Sequence, residues 1–187
     1  MRVAERSGAV SYVGSHKGAA TLSFLDIWAL RKAANFGQIE IVQNLLELFP
    51  SKIDSFDQDG WAPLHLASFS GHVHVVELLI KMGANLNLGS LNEKSYMPIH
   101  AAAHGRNAAV VAVLVRNGAY ADAQDSAGHT AMHIAAQNGD TRIIDILVRH
   151  GAAVDIRDKH GQTPLDVALG ANRQAAADLL QMYLDVE

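Results

Sequence analysis

Residues Asp57 to Ala84 read DQDGWAPLHLASFSGHVHVVELLIKMGA. The stretch recurs, degraded, along most of the 187-residue chain. Pro63, Leu64 and His65 return as Pro98, Ile99 and His100, then as Ala131, Met132 and His133, and last as Pro164, Leu165 and Asp166. Counted from His65 the spacing is 35, 33 and 33 residues. Gly83-Ala84 returns as Gly118-Ala119 and Gly151-Ala152, so two independent landmarks share one period.

Each residue type has a mechanical task within the unit. Pro63, Pro98 and Pro164 mark helix starts, where the missing N–H has no partner to lose. Ala67-Ser68, Ala102-Ala103 and Ala135-Ala136 are small enough for close helix packing, and Gly71 and Gly139 end that first helix. A second helix follows, with Val75, Val76, Leu78 and Leu79, or Val110, Val111, Val113 and Leu114, on one face at helical period. Gly83, Gly118 and Gly151 end it as left-handed residues. One such pair cannot bury its own apolar face, so units must stack into an elongated array.

A period near 33 with a Pro-Leu-His-x-Ala core resembles the ankyrin repeat family. The resemblance implies an all-α solenoid of stacked helix-turn-helix pairs with short β-hairpin fingers. It covers about residues 24–183, as repeats at about 24–56, 57–91, 92–124, 125–157 and 158–187. Residues 1–23, rich in Gly, Ser and Ala, are expected to form a flexible tail; the alternative is a short element packing on the first repeat through Tyr12 and Val13. In repeat one Arg31 stands at the His position and Pro50 closes the second helix, as in a terminal cap with one side toward water. Repeat three has Ser95 in place of the turn glycine, Arg106 in place of Gly71, and two extra residues expected in the finger between Asn85 and Lys94. Repeat five has Asp166 at the His position and polar Arg173, Gln174, Asp178 and Gln181. Both ends are therefore expected to be capped, leaving no apolar helix face for self-association, and the chain to be monomeric.

Composition narrows the function. With 15 basic and 19 acidic residues the chain has a net charge of −4 and no basic surplus for nucleic acid. It contains no cysteine, which removes disulfides and thiolate metal sites and suits a reducing, cytoplasmic setting, or a nuclear one in a eukaryote. No run approaches the roughly 18–20 apolar residues of a membrane span.

The 10 histidines invite a catalytic or metal reading. The resemblance instead makes His65, His100, His133 and His72 framework residues bonded to backbone or to a helix-start hydroxyl such as that of Thr130. His100 and His104 lie four apart as in a zinc protease helix, but Ala101 stands where the general-base Glu is required. No nucleophile elbow, phosphate loop or dinucleotide fingerprint is present. No catalytic residue, cofactor or metal is therefore expected. Asn87 occupies a finger position at which the family can be hydroxylated; the plainer reading is a turn residue bonding its own backbone.

The resemblance implies recognition of a partner protein through outward positions near the turn and late in the first helix. On this chain the expected contact residues are Trp61, Phe69, Tyr96, His104, His129 and Gln137. Aromatic side chains not needed by a core are typical interface anchors. A competing reading has Trp61 and Tyr96 packed on each other, stiffening the array. Two further classes stay open at this point: a structural spacer of a larger protein, and a histidine-based metal or hydrolytic site.

Overall fold

The computed structural model describes residues 19–185. Among them ten α-helices form five helix-turn-helix pairs. These are α1 (Ala19–Asn35) with α2 (Ile39–Leu48), α3 (Pro63–Ser70) with α4 (Val73–Lys81), and α5 (Pro98–His104) with α6 (Ala108–Arg116). They continue as α7 (Ala131–Asn138) with α8 (Thr141–Arg149), and α9 (Pro164–Gly170) with α10 (Gln174–Leu184). Odd-numbered helices pack on one another in chain order, as do the even-numbered ones, giving an inner and an outer layer. Helices α3 to α9 have only 7–9 residues each. Isolated helices shorter than about 12–15 residues are marginal in water, so these depend on stacking.

The inner layer closes through alanine: Ala34, Ala67, Ala102, Ala103, Ala135, Ala136 and Ala168 are fully buried. The outer layer interlocks through Leu79, Leu114, Leu147 and Leu180, also fully buried. This is the helical solenoid expected from the periodicity. The expected β-hairpin fingers need correction: the connections between pairs are turns held by side chains, with no strand among the described residues.

Three of the four fingers are each organised by one aspartate. Asp57 Oδ1 accepts from the N–H groups of Asp59 (3.0 Å) and Trp61 (2.7 Å). Asp125 does the same for Ala127 and His129, and Asp158 for His160 and Gln162. In the second finger, between α4 and α5, the task is divided. Ser90 Oγ accepts from the Tyr96 N–H (2.8 Å) and donates to Asn92 Oδ1, which accepts from the Lys94 N–H (3.1 Å). The reach from Ser90 to Tyr96 spans six positions against four from Asp57 to Trp61, which locates the two extra residues inside this turn. Ser95 takes the positive φ (49°) that Gly60, Gly128 and Gly161 take elsewhere.

The turn between α5 and α6 also divides a task. Arg106 adopts the left-handed conformation (φ 59°) that Gly71 and Gly139 adopt in their repeats. Gly105 beside it has an ordinary helical φ of −70°, but a Cβ there would collide with the Phe69 carbonyl oxygen on α3. Conformation therefore falls to Arg106 and close approach to Gly105.

Two expectations at the N-terminal end need correction. Helix α1 begins at Ala19, so residues 19–23 of the expected tail are helical, whereas residues 1–18 lie outside the described residues. Nor is the first repeat a finished cap. Ile41 is 45% exposed, because no outer helix precedes α2 among the described residues. At the other end α10 presents polar Gln174, Asp178 and Gln181 to solvent, as a cap should.

Gly105→Ala is expected to lower unfolding free energy by about 2 kcal/mol through overpacking against α3. Arg106→Gly is expected to raise it by up to about 1 kcal/mol by relieving the left-handed strain. Urea unfolding of the two variants checks both signs. A neutral Gly105→Ala would mean that α3 and α5 are not in contact at Phe69.

Candidate functional site

The inner helices and fingers border a groove. Its first sector, about 490 Å³, is lined by Asn35, Trp61, Leu66, Phe69, Tyr96 and His104 among others. Its second, about 470 Å³, is lined by Lys94, Tyr96, His104, His129, Gln137 and Asp166 among others. Tyr96 and His104 border both, so the sectors are continuous.

The six expected contact residues all border this groove, with different exposure. Phe69 is 55% exposed and Gln137 is exposed, while Trp61, His104 and His129 are half-buried. Tyr96 departs from the expectation: it is 8% exposed and offers little surface. Its ring lies 6.0 Å from Trp61, 5.8 Å from His100 in a stack, and 4.9 Å from His104. Its hydroxyl is 2.8 Å from His104 Nε2. The packing reading of Trp61 and Tyr96 thus holds for Tyr96, which sets the position of its neighbours. Burial first, and the charge of Lys94 next, hold the His104 imidazole below its ordinary range.

Two side chains at or next to the groove were not singled out by the periodicity. Trp28 is 50% exposed, with the Lys32 ammonium 4.7 Å from its ring. Position 28 aligns with helix starts such as Ala62, but α1 begins earlier and carries Trp28 mid-helix on its surface. Leu66, between the framework residues His65 and Ala67, faces the groove. No neighbour in sequence signals that orientation; only helical phase does.

The framework histidines form a chain of links. His65 Nδ1 accepts from the Ala62 N–H (3.3 Å), and its Nε2 donates to the Tyr96 carbonyl of the next repeat (2.8 Å). His100 joins the Met97 N–H to the Ala123 carbonyl, and His133 joins the Thr130 N–H to the Gln162 carbonyl. These backbone partners assign one tautomer, neutral with the proton on Nε2. His72 reaches the Asn35 carbonyl of the preceding repeat (3.0 Å). The His100–His104 pair is directed at Ala123 and Tyr96, and no group of three metal-ligating side chains occurs among the described residues. The Asn87 side chain does not bond its own backbone: its Oδ1 accepts from the Tyr120 N–H of the following repeat (2.8 Å), while its own N–H donates to Asn85 Oδ1 within the turn (3.0 Å).

His129 stands between two buried carboxylates, 3.5 Å from Asp125 Oδ2 and 3.3 Å from Asp158 Oδ2. The latter oxygen has no other partner. Burial opposes ionisation of Asp158, yet donation from Gln162 and His160 and the nearby imidazoles hold its carboxyl below the usual range.

The sequence profile described as ankyrin repeats (3 copies) matches residues 23–90 and 98–187, and the chain belongs to the ankyrin repeat family. It is similar to 26S proteasome non-ATPase regulatory subunit 10 of Dictyostelium discoideum, at 39% identity over 30% of this chain and 24% of that protein. It is similar to ankyrin repeat domain-containing protein 49 of Homo sapiens, at 34% identity over 35% of this chain and 26% of the relative. It also resembles human ankyrin repeat and SAM domain-containing protein 3, at 34% identity over 32% of this chain and 9% of the relative. The chain thus spans about a quarter or less of the length of these relatives.

Burial holds the His65 imidazole down at about 4, and lowers those of His100 and His133 as well. An unfolded histidine titrates near 6.5. Below that value the unfolded chain binds protons that the folded chain refuses, so stability is full above about pH 6.5 and falls as pH drops toward 4. From pH 7 to pH 5 the loss from His65 alone is expected to be about 2 kcal/mol. Urea unfolding at the two pH values measures it, and equal midpoints would show that the imidazole links do not form as described.

Proposed function

We propose that this chain recognises a partner protein through the groove, as a monomer and without catalysis. One observation carries the reading. Phe69 is 55% exposed beside half-buried Trp61 and Leu66, on helices whose spacing the histidine links hold. Aromatic side chains held on a rigid surface cost little entropy on binding and are typical hot spots. Family membership supports the reading, since ankyrin repeats generally act as protein-interaction modules. Trp61, Phe69 and His104 are the proposed centre, Tyr96 holds them in place, and His129 and Gln137 extend the site. A net charge of −4 favours a protein partner over nucleic acid. No helix among the described residues is long and apolar enough to cross a membrane. The proposed setting is the cytoplasm, or the nucleus in a eukaryote.

Phe69→Ala separates recognition from a purely structural role. Its ring is solvent-exposed, so the melting temperature is expected to stay within about 2 °C of the parent. Capture of partner proteins by the immobilised chain, quantified by mass spectrometry, is expected to drop about tenfold or more, as for a hot-spot residue. Unchanged capture by Phe69→Ala, Trp61→Ala and Gln137→Ala alike would point to a spacer or to another surface.

A further inference from the structure

The first sector of the groove is apolar, but its charge is unbalanced. Asp57 and Asp59 border it together with Trp61, Leu66 and Phe69. Asp57, Asp59 and Glu93 border a second recess around the same finger, again beside Trp61. No lysine or arginine lines either recess. The guanidinium next to them is already committed. Arg31 lies 3.7 Å from Asp57 Oδ2, has a side chain only 11% exposed, and donates from Nε to the Ile27 carbonyl. Asp57 Oδ1 is occupied by the Asp59 and Trp61 N–H groups. Asp59 is exposed, and its carboxylate has no ion-pair partner among the described residues. One negative charge is therefore left unmatched at the wall of an aromatic recess.

Aromatic faces attract cations. The chain already uses two of its rings in this way. The Lys32 ammonium is 4.7 Å from the centre of the Trp28 ring, and that of Lys94 is 5.6 Å from the centre of Tyr96. Trp61 carries no such cation among the described residues, yet it stands beside the unmatched carboxylate. A purely apolar side chain docked on Trp61 and Phe69 would strip water from Asp59 and put nothing in its place, which costs free energy. A long cationic side chain meets both needs. Its stem packs on Leu66 and Phe69 while its head stays at the polar edge. Arginine fits better than lysine, because its planar guanidinium stacks on aromatic faces and is more weakly hydrated than an ammonium. Lys94 borders the second sector and not the first, so repulsion by Lys94 also places such a head at the Trp61 end.

We propose that the partner inserts an arginine side chain into the first sector, its guanidinium on the face of Trp61 and its charge matched by Asp59. The inference rests on the groove being the recognition surface, and adds the chemistry of what binds there. The occupant is a protein segment anchored by arginine, not by an acidic or a purely apolar side chain.

Random dodecapeptides displayed on phage, selected on the immobilised full chain and on its Phe69→Ala variant, supply the probe. Peptides retained by the parent and lost by Phe69→Ala are groove ligands, and are expected to be enriched in arginine over the unselected library. One such peptide, made synthetically, then enters a double-mutant cycle with Asp59→Asn. Replacing its arginine by citrulline keeps the shape and removes the charge. That change is expected to weaken binding about tenfold in the parent and less than about twofold in Asp59→Asn. The Asp59 side chain is exposed and makes no hydrogen bond among the described residues, so Asp59→Asn is expected to melt with the parent. Groove ligands without arginine enrichment, or an equal citrulline loss in both chains, would overturn the inference and leave the groove reading in place. The absence of any Phe69-dependent ligand would overturn the groove reading, and the inference with it.

Discussion

A neutral imidazole that accepts from its own helix start and donates to the next repeat is the interaction on which this structure depends. Helices of 7–9 residues have too few internal hydrogen bonds to stand alone. Apolar stacking supplies the driving force but fixes spacing loosely. The bonds of His65, His100 and His133 add direction, each reaching a carbonyl in the finger that leads to the next helix pair. Only the neutral form can accept at Nδ1 while donating at Nε2, so the link ties the array to histidine neutrality. The end repeats show the dependence by departing from it. Arg31 reaches forward to Asp57 at 3.7 Å, while Asp166 turns back onto Thr163 of its own repeat.

The regular part of this arrangement was legible because it repeats. A landmark recurring at 33–35 residues locates helices, turns and framework histidines without any knowledge of contacts. Departures from the period were legible as places and opaque as mechanisms. The sequence marks Ser95 and Arg106 as substitutes for glycine, and both take positive φ. That Gly105 must then stay small against Phe69 follows from an inter-helix distance that no spacing encodes. The division of the Asp57 task between Ser90 and Asn92 was hidden for a similar reason: hydroxyl and amide together replace one carboxylate across a longer turn. Tyr96 shows the limit for the site. Its position follows from register, but its burial comes from His100 and His104 closing over it, a property of three rings together.

The groove takes its chemical variety from the uniform framework beneath it. The Trp61 N–H is held by Asp57 Oδ1, and its carbonyl by the Asp57 N–H. Tyr96 is pinned at its N–H by Ser90 Oγ, and at its carbonyl by both the Ser90 N–H and His65. Gln162 is pinned in the same way by Asp158 and His133. Every backbone polar group at this position is thus satisfied by the frame, whatever side chain projects from it. The backbone then places few demands on that side chain, and the position carries Trp61, Tyr96, His129 and Gln162 in succession along one groove. The aromatic end meets apolar Leu66 and Phe69, and the polar end meets Gln137 and Asp166. The two meet at the Tyr96–His104 contact, which belongs to both. On the proposed function, a partner that spans this junction must bury apolar surface at one end and satisfy hydrogen bonds at the other. Neither half of the requirement can be relaxed by moving the backbone, because the frame holds it.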